Sequence, residues 1–172
     1  MTTWHLEMRA AKATPRLVAP SGARVEHAPR PALHFYRYLY EAVGRDWLWV
    51  DRRRLDDGAL AAIVHDPRVE VFVAYEGGAP AGYYELDRKV QNEIELAYFG
   101  LMPERIGRGL GAGLRADAGR RAGSYGPERV WVHTCSLDHP RARAAYERAG
   151  FEVFQIVEYD EFDLCSLSVR PR

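Results

Sequence analysis

Cysteine is scarce in this chain. Cys135 and Cys165 are its only two, and they stand far apart. They offer neither the close pairs of a structural metal site nor a disulfide framework, and no metal is expected. A surplus of one charge is missing too, since 24 basic residues balance 24 acidic ones. That excludes a general basic surface for nucleic acid and a solvating acidic tail. The one short basic run, Arg52-Arg53-Arg54, stands beside Asp51, Asp56 and Asp57 and reads as a solvated segment. No apolar stretch nears the roughly 20 residues needed to cross a bilayer. The first ten residues interleave His5, Glu7 and Arg9 with apolar positions, which is no secretory signal. A cytoplasmic protein without membrane or nucleic-acid partners is the expectation. Internal repeats are absent as well, and 172 residues suffice for a core, so a single domain over residues 1–172 is expected.

What the chain does have is a glycine-rich turn between a strand pattern and a helix pattern. The apolar run Ile94 to Leu101 is followed by Pro103-Glu104-Arg105-Ile106-Gly107-Arg108-Gly109-Leu110-Gly111-Ala112-Gly113-Leu114. Alternating glycines turn tightly and leave N–H groups uncovered, and a helix N-terminus adds partial positive charge. The combination suits an anion such as a phosphate or pyrophosphate. Gly107, Gly109 and Ala112 also fit the dinucleotide pattern G-x-G-x-x-G/A, but the next strand pattern, Arg129 to Thr134, ends without an acid. No Gly-Lys-Ser/Thr closes the turn, which excludes a P-loop. A plain turn seating a helix on a sheet remains the bland alternative.

Periodicity places the elements around this turn. Thr2 to Arg9 alternates as a strand, Ala13 to Pro31 reads as a loop, and His34 to Val43 has helical spacing. Asp56 or Asp57 can cap a helix through Val64. Val69 to Tyr75 and Ala81 to Leu86 read as strands around the hairpin turn Glu76-Gly77-Gly78, and Glu93 to Leu101 as the next strand. A helix to about Ala122, a strand from Val130 to Thr134, a helix from Pro140 to Ala149, and strands from Phe151 to Tyr159 and Phe162 to Val169 complete the chain. The sum is an α/β protein with a mixed sheet.

A second segment, Leu137 to Phe151, carries Pro140 at a helix start, Tyr146 on the apolar face and Gly150 at a helix stop. Alone it reads as a core tyrosine with a glycine cap. Together the two segments resemble the GNAT superfamily of acetyl-CoA-dependent N-acetyltransferases. That family pairs Pro-x-x-Arg/Gln-Gly-x-Gly-x-Gly/Ala at one helix with Asn-x-x-Ala-x-x-x-Tyr-x-x-x-Gly-Phe at a later one. Here Pro103 to Gly111 and His139 to Phe151 match in order and separation. Ile106 stands where the family has Arg or Gln, with Arg105 one place early, and His139 replaces the Asn.

The resemblance implies a single-domain GNAT-like fold: a mixed, mostly antiparallel sheet flanked by helices, with splayed central strands. It implies acetyl-CoA as cosubstrate, bound by N–H groups of Gly107, Arg108, Gly109, Leu110, Gly111 and Ala112, with His139 nearby. The strand end Phe99, Gly100 and Leu101 would pair with the pantetheine arm, and Tyr146 would protonate the departing thiolate. An alkyl ammonium, with a pKa of about 10.4, must lose a proton before it attacks. Glu95 is the first choice of base. It shares strand parity with Ala97, Phe99 and Leu101 and is expected on their face. His133 is the next choice. The acceptor side holds Tyr36, Tyr38, Tyr40, Trp47, Trp49, Tyr83 and Tyr84, at least half of them expected in the core, with Glu85 and Asp51 as ammonium partners. The acceptor is a small-molecule amine or a peptide N-terminus or lysine, and homodimer formation is left open. Two other readings stand beside the acetyltransferase: a non-catalytic acyl-CoA-sensing module of the same fold, and a small nucleotide-dependent oxidoreductase using the same glycines.

Overall fold

The structure, a computed structural model, describes residues 1–9 and 22–159. In chain order the elements are β1 (Thr2–Arg9), β2 (Arg24–Ala28), α1 (Leu33–Gly44), α2 (Asp57–Val64), β3 (Val69–Glu76), β4 (Ala79–Asp87), β5 (Glu93–Leu101), α3 (Leu110–Ser124), β6 (Arg129–Cys135), α4 (Ala142–Arg148) and β7 (Glu152–Glu158). Tyr36, Leu39, Tyr40 and Val43 fall on one stripe of α1 and are all buried, which is what holds that helix to the sheet. Asp56 caps α2, its carboxylate accepting from the Ala59 N–H at 2.7 Å. Gly77-Gly78, both left-handed, make the two-residue turn between β3 and β4.

All described strands join one seven-stranded sheet in the order β2-β3-β4-β5-β6-β1-β7. Every neighbouring pair is antiparallel except β5 with β6. Alternation along β3 and β4 sends Phe72, Ala74, Tyr84 and Leu86 to one face, where α3 contributes Leu114 and Ala118 and α4 contributes Tyr146. Val71, Val73 and Tyr83 go to the other face, under α1 and α2. That second core takes nothing from β6, β1 or β7, so among the described residues no helix covers the α1 face of this half of the sheet.

Four expectations are corrected. Within the segment read as a loop, Arg24–Ala28 is a strand on the sheet edge, paired with β3. Edge exposure leaves it without the apolar alternation that would announce it. Arg52 is not solvated but buried, its guanidinium donating to Glu85 at 2.7 Å. The last helix is shorter than expected, with Pro140 in the turn before it. The parity argument for Glu95 fails at Ala97. The register with β4 passes from Leu86↔Leu96 to Glu85↔Tyr98, so Ala97 is an extra residue and the faces exchange beyond it. The expected strand Phe162 to Val169 lies outside the described residues.

Candidate functional site

β5 and β6 form a fork. They pair only at Glu93 to Glu95 against Arg129 to Trp131. Beyond that, β5 stays with β4 as far as Leu101, and β6 stays with β1 as far as Cys135. Arg129 clamps the closed end, reaching Glu7 at 3.0 Å and Glu93 at 2.9 Å across three strands. The bulge at Ala97 follows directly, and a bulge bends its strand and ends pairing. From Leu96 to Leu101 the β6-facing edge of β5 is therefore uncovered by any strand among the described residues, and Phe99, Gly100 and Leu101 lie on it. Gly100 is required there by close approach, since a Cβ would meet Val43 Cγ1 at 2.3 Å.

The glycine loop continues from this prong. Gly107 and Gly109 hold φ of 82° and 83°, a region costly for any other residue. A Cβ at either would meet nothing within 4 Å, so open space lies above both. Leu110 is buried and pins the first turn of α3, whose leading N–H groups have no helical partner. Gly111 and Ala112 complete that turn. Arg105 is ion-paired to Glu76, while Ile106 and Arg108 are exposed.

Between α3 and α4 lies a cavity of about 480 Å³, bordered by Leu96, Ala112, Arg115, Tyr146 and Arg148. That volume is typical of small-molecule sites. Tyr146 is 7% exposed, with its ring centroid 6.3 Å from Phe99 and 5.8 Å from Phe151. Its hydroxyl bonds to no described residue. Burial, and then the charge of Asp138, push its pKa above the usual phenol range, with Arg115 opposing. The hydroxyl therefore holds its proton at neutral pH.

Glu95 projects to the opposite face of the sheet, beside Asp87 of β4 and with Tyr98 rather than Phe99. It is buried, and its Oε1 is 3.4 Å from Nδ1 of His133, an exposed residue of β6. His5 of β1 stands beside His133, ring centroids 5.9 Å apart, with Trp131 at 6.1 Å. Burial lowers the pKa of His5, the neighbouring His133 lowers it further, and Glu95 opposes both.

The segment after α1 crosses the open end of the fork. The Trp49 ring lies over Gly100 on β5, and its Nε1 donates to Asp138 at 3.4 Å, beyond the end of β6. Trp47 meets His139 with ring centroids 5.1 Å apart. His139 is otherwise engaged through Nδ1, which accepts from the Arg141 N–H at 3.1 Å. Asp138 anchors the crossing by accepting from Thr134 Oγ1 at 2.8 Å and the Cys135 N–H at 2.9 Å. The sequence reading missed this residue, although an Asp closing a turn after a strand is a known acceptor of backbone N–H groups. Of the aromatics, Tyr36, Tyr40, Tyr83 and Tyr84 are core, Tyr38 is exposed, and Trp47 and Trp49 line the crossing. Glu85 is not available to a ligand ammonium. It is fully buried and accepts from Arg52 and, at 2.6 Å, from the Tyr36 hydroxyl.

Comparison with known proteins bears on this arrangement. Residues 26–151 match the Acetyltransferase (GNAT) family. An uncharacterized N-acetyltransferase of Mycobacterium tuberculosis is 29% identical over 99 residues, 58% of this chain and 63% of the relative. The match thus spans less than two thirds of that relative's length. An aminoglycoside acetyltransferase from an uncultured soil metagenomic sample superposes with a TM-score of 0.65 at 15% identity, over 81% of this chain and 95% of its own. An acetyltransferase of Bacillus subtilis, solved in complex with CoA, gives a TM-score of 0.56 at 20% identity, over 76% of each chain. At these identities the structural likeness establishes a shared fold. No helix among the described residues is long and apolar enough to cross a membrane.

Proposed function

Because this chain belongs to the GNAT family of acetyltransferases, we propose that it transfers an acetyl group from acetyl-CoA to a primary amine held in the same complex. The observation that carries this reading is the fork: one opening in the sheet with Tyr146 on one face and the Glu95–His133 pair on the other. The donor fits the residues on the page. Gly107 to Ala112 offer N–H groups and open space to a diphosphate, and the free edge at Phe99 to Leu101 offers hydrogen bonds to an amide-bearing arm. The B. subtilis neighbour was solved with CoA, in keeping with this. His139, held against Trp47, borders the same opening rather than the loop by its own contacts.

Acetyl-CoA supplies an activated acetyl group, so a C–N bond to the acceptor forms as the C–S bond breaks. The chain's residues manage the two protons. Glu95 takes the proton of the acceptor ammonium, directly, through water or through His133, whose Nδ1 it holds. Tyr146 gives its hydroxyl proton to the sulfur, and the second proton that the nitrogen sheds as the amide forms restores it through solvent. The products are an acetamide and the free thiol. The aromatic crossing at Trp47, Trp49 and Tyr98 gives the amine a flat, weakly cation-attracting wall, and a small-molecule amine is the acceptor class we favour. The metagenomic neighbour, an aminoglycoside acetyltransferase, has also been solved in complex with sisomicin, in keeping with this class.

Melting curves with and without acetyl-CoA, followed by an amine library scored for release of CoA thiol, test the proposal. Acetyl-CoA should raise the melting temperature where NADH does not, and some amine should give turnover. Binding without turnover on any amine would favour the sensing module. Stabilisation by NADH alone would overturn the reading.

A further inference from the structure

Most arginines among the described residues are paired with a carboxylate. Arg52, Arg88, Arg105, Arg120, Arg121, Arg129 and Arg143 each meet a carboxylate. Of the described arginines without a carboxylate partner, Arg115 and Arg148 border the cavity between α3 and α4, and Arg115 alone is not exposed. Arg115 is half-buried, its Cζ 5.9 Å from the Phe99 ring centroid. Side chains on a helix lean toward its N-terminus. Accordingly, Nη1 of Arg115 comes within 3.6 Å of the point where a Cβ on Gly111 would stand. Burial works against its charge and so does the like charge of Arg148, one helix away. A half-buried guanidinium facing a cavity without a counterion, with the exposed Arg148 on the same cavity, is a poor arrangement for an empty protein and a good one for an anion.

Within the loop, Ile106 brings no charge, Arg105 is committed to Glu76, and Arg108 is an exposed cation. We propose that Arg115, assisted by Arg148, reads a phosphate of the cosubstrate and supplies a half-buried side-chain charge beside the glycine loop, where Ile106 brings none. This rests on the acetyl-CoA reading above. It adds to the backbone cradle a contact made from the cavity side by a residue one turn further along α3. Two groups of that ligand have the right chemistry, the diphosphate and the 3′-phosphate.

Calorimetry on wild type, Arg115→Gln and Arg148→Gln decides the matter, using acetyl-CoA, its dephospho form without the 3′-phosphate, and S-acetylpantetheine without any phosphate. Arg115→Gln should weaken acetyl-CoA by about 10- to 100-fold, the range for hydrogen bonds to a charged group, while S-acetylpantetheine affinity stays unchanged and Arg115→Lys recovers part of the loss. Equal loss with the dephospho form assigns the contact to the diphosphate. Loss seen only with the full ligand assigns it to the 3′-phosphate. Unchanged acetyl-CoA affinity, or equal weakening of all three ligands, overturns the proposal. A wild type that binds none of the three overturns the acetyl-CoA reading itself, a distinct result. If Arg115→Gln does not fold, inorganic pyrophosphate on wild type decides: stabilisation that acetyl-CoA competes away supports the site, and none at millimolar concentration rejects it.

Discussion

On the α3–α4 face of the fork, the side chains nearest the opening are Tyr146, Phe99 and Arg115. They are a protonated phenol, an aromatic wall and an unneutralised cation. On the α1 face they are Glu95, His133, Trp131 and His5, a carboxylate with imidazoles around it. One face suits an anion and can give a proton, while the other suits a cation and can take one. Nothing but a strand separates them, and successive residues of a strand point to opposite sides. The bulge at Ala97 decides which side Glu95 joins. Separation of charge across the sheet is thus a matter of register, and on the reading proposed above it would let two substrates of opposite charge meet without sharing a pocket.

The sharpest way to break this comparison is Tyr146→Phe. The ring and its packing survive, so melting temperature should hardly move. kcat should fall about 10²- to 10⁴-fold, the usual range for losing a general acid, and acetyl-CoA affinity should change by about 1 kcal/mol or less. A variant with near wild-type kcat, on an amine for which chemistry limits the rate, would return Tyr146 to a purely core role. Glu95→Gln addresses the other face and should cost about 10²-fold in kcat, the low end of that range, because water can stand in for the base. The loss should deepen as pH falls, since an ammonium of pKa about 10.4 is then least often neutral. A Glu95→Gln variant that binds acetyl-CoA less well but turns over normally would place the residue with the donor and undo the assignment of faces.

The smallest effect concerns His5. Its folded pKa is depressed by burial and by His133. Between the ordinary value of about 6.5 and the lower folded value, the unfolded chain binds more protons than the folded one. Stability therefore rises with pH through that window and is lost as pH falls below about 6.5. Thermal melts from pH 7.5 down to pH 5 should show this slope in wild type and a shallower one in His5→Gln. Equal slopes would mean that His5 does not share the field of His133 and Glu95.

What the sequence revealed follows from the range of the forces involved. Gly107, Gly109, Gly150 and Tyr146 answer to local demands, a left-handed backbone or a position on a helix face, and such demands leave a local signature. The face of Glu95 was misread because a bulge belongs to the pairing of two strands and not to either sequence. Arg52 was misread because its burial depends on Glu85 and Tyr36, brought to it from β4 and α1. β2 escaped notice because Arg24, Glu26 and His27 leave only Val25 and Ala28 to mark its inward positions, too few for a visible alternation. Asp138 was readable as a turn residue, but its bond to Trp49 across the fork was not.

The uncovered edge of β5 has a consequence for isotope labelling. From Leu96 to Leu101 the strand bonds to β4 on one side and, among the described residues, to no strand on the other. Neighbouring amides in a strand point to opposite sides. In heavy water this short stretch should show slow and fast exchange in alternation, two rates interleaved along one continuous element, without any part of it unfolding. A ligand laid along the open edge would slow the fast set and leave the slow set where it was.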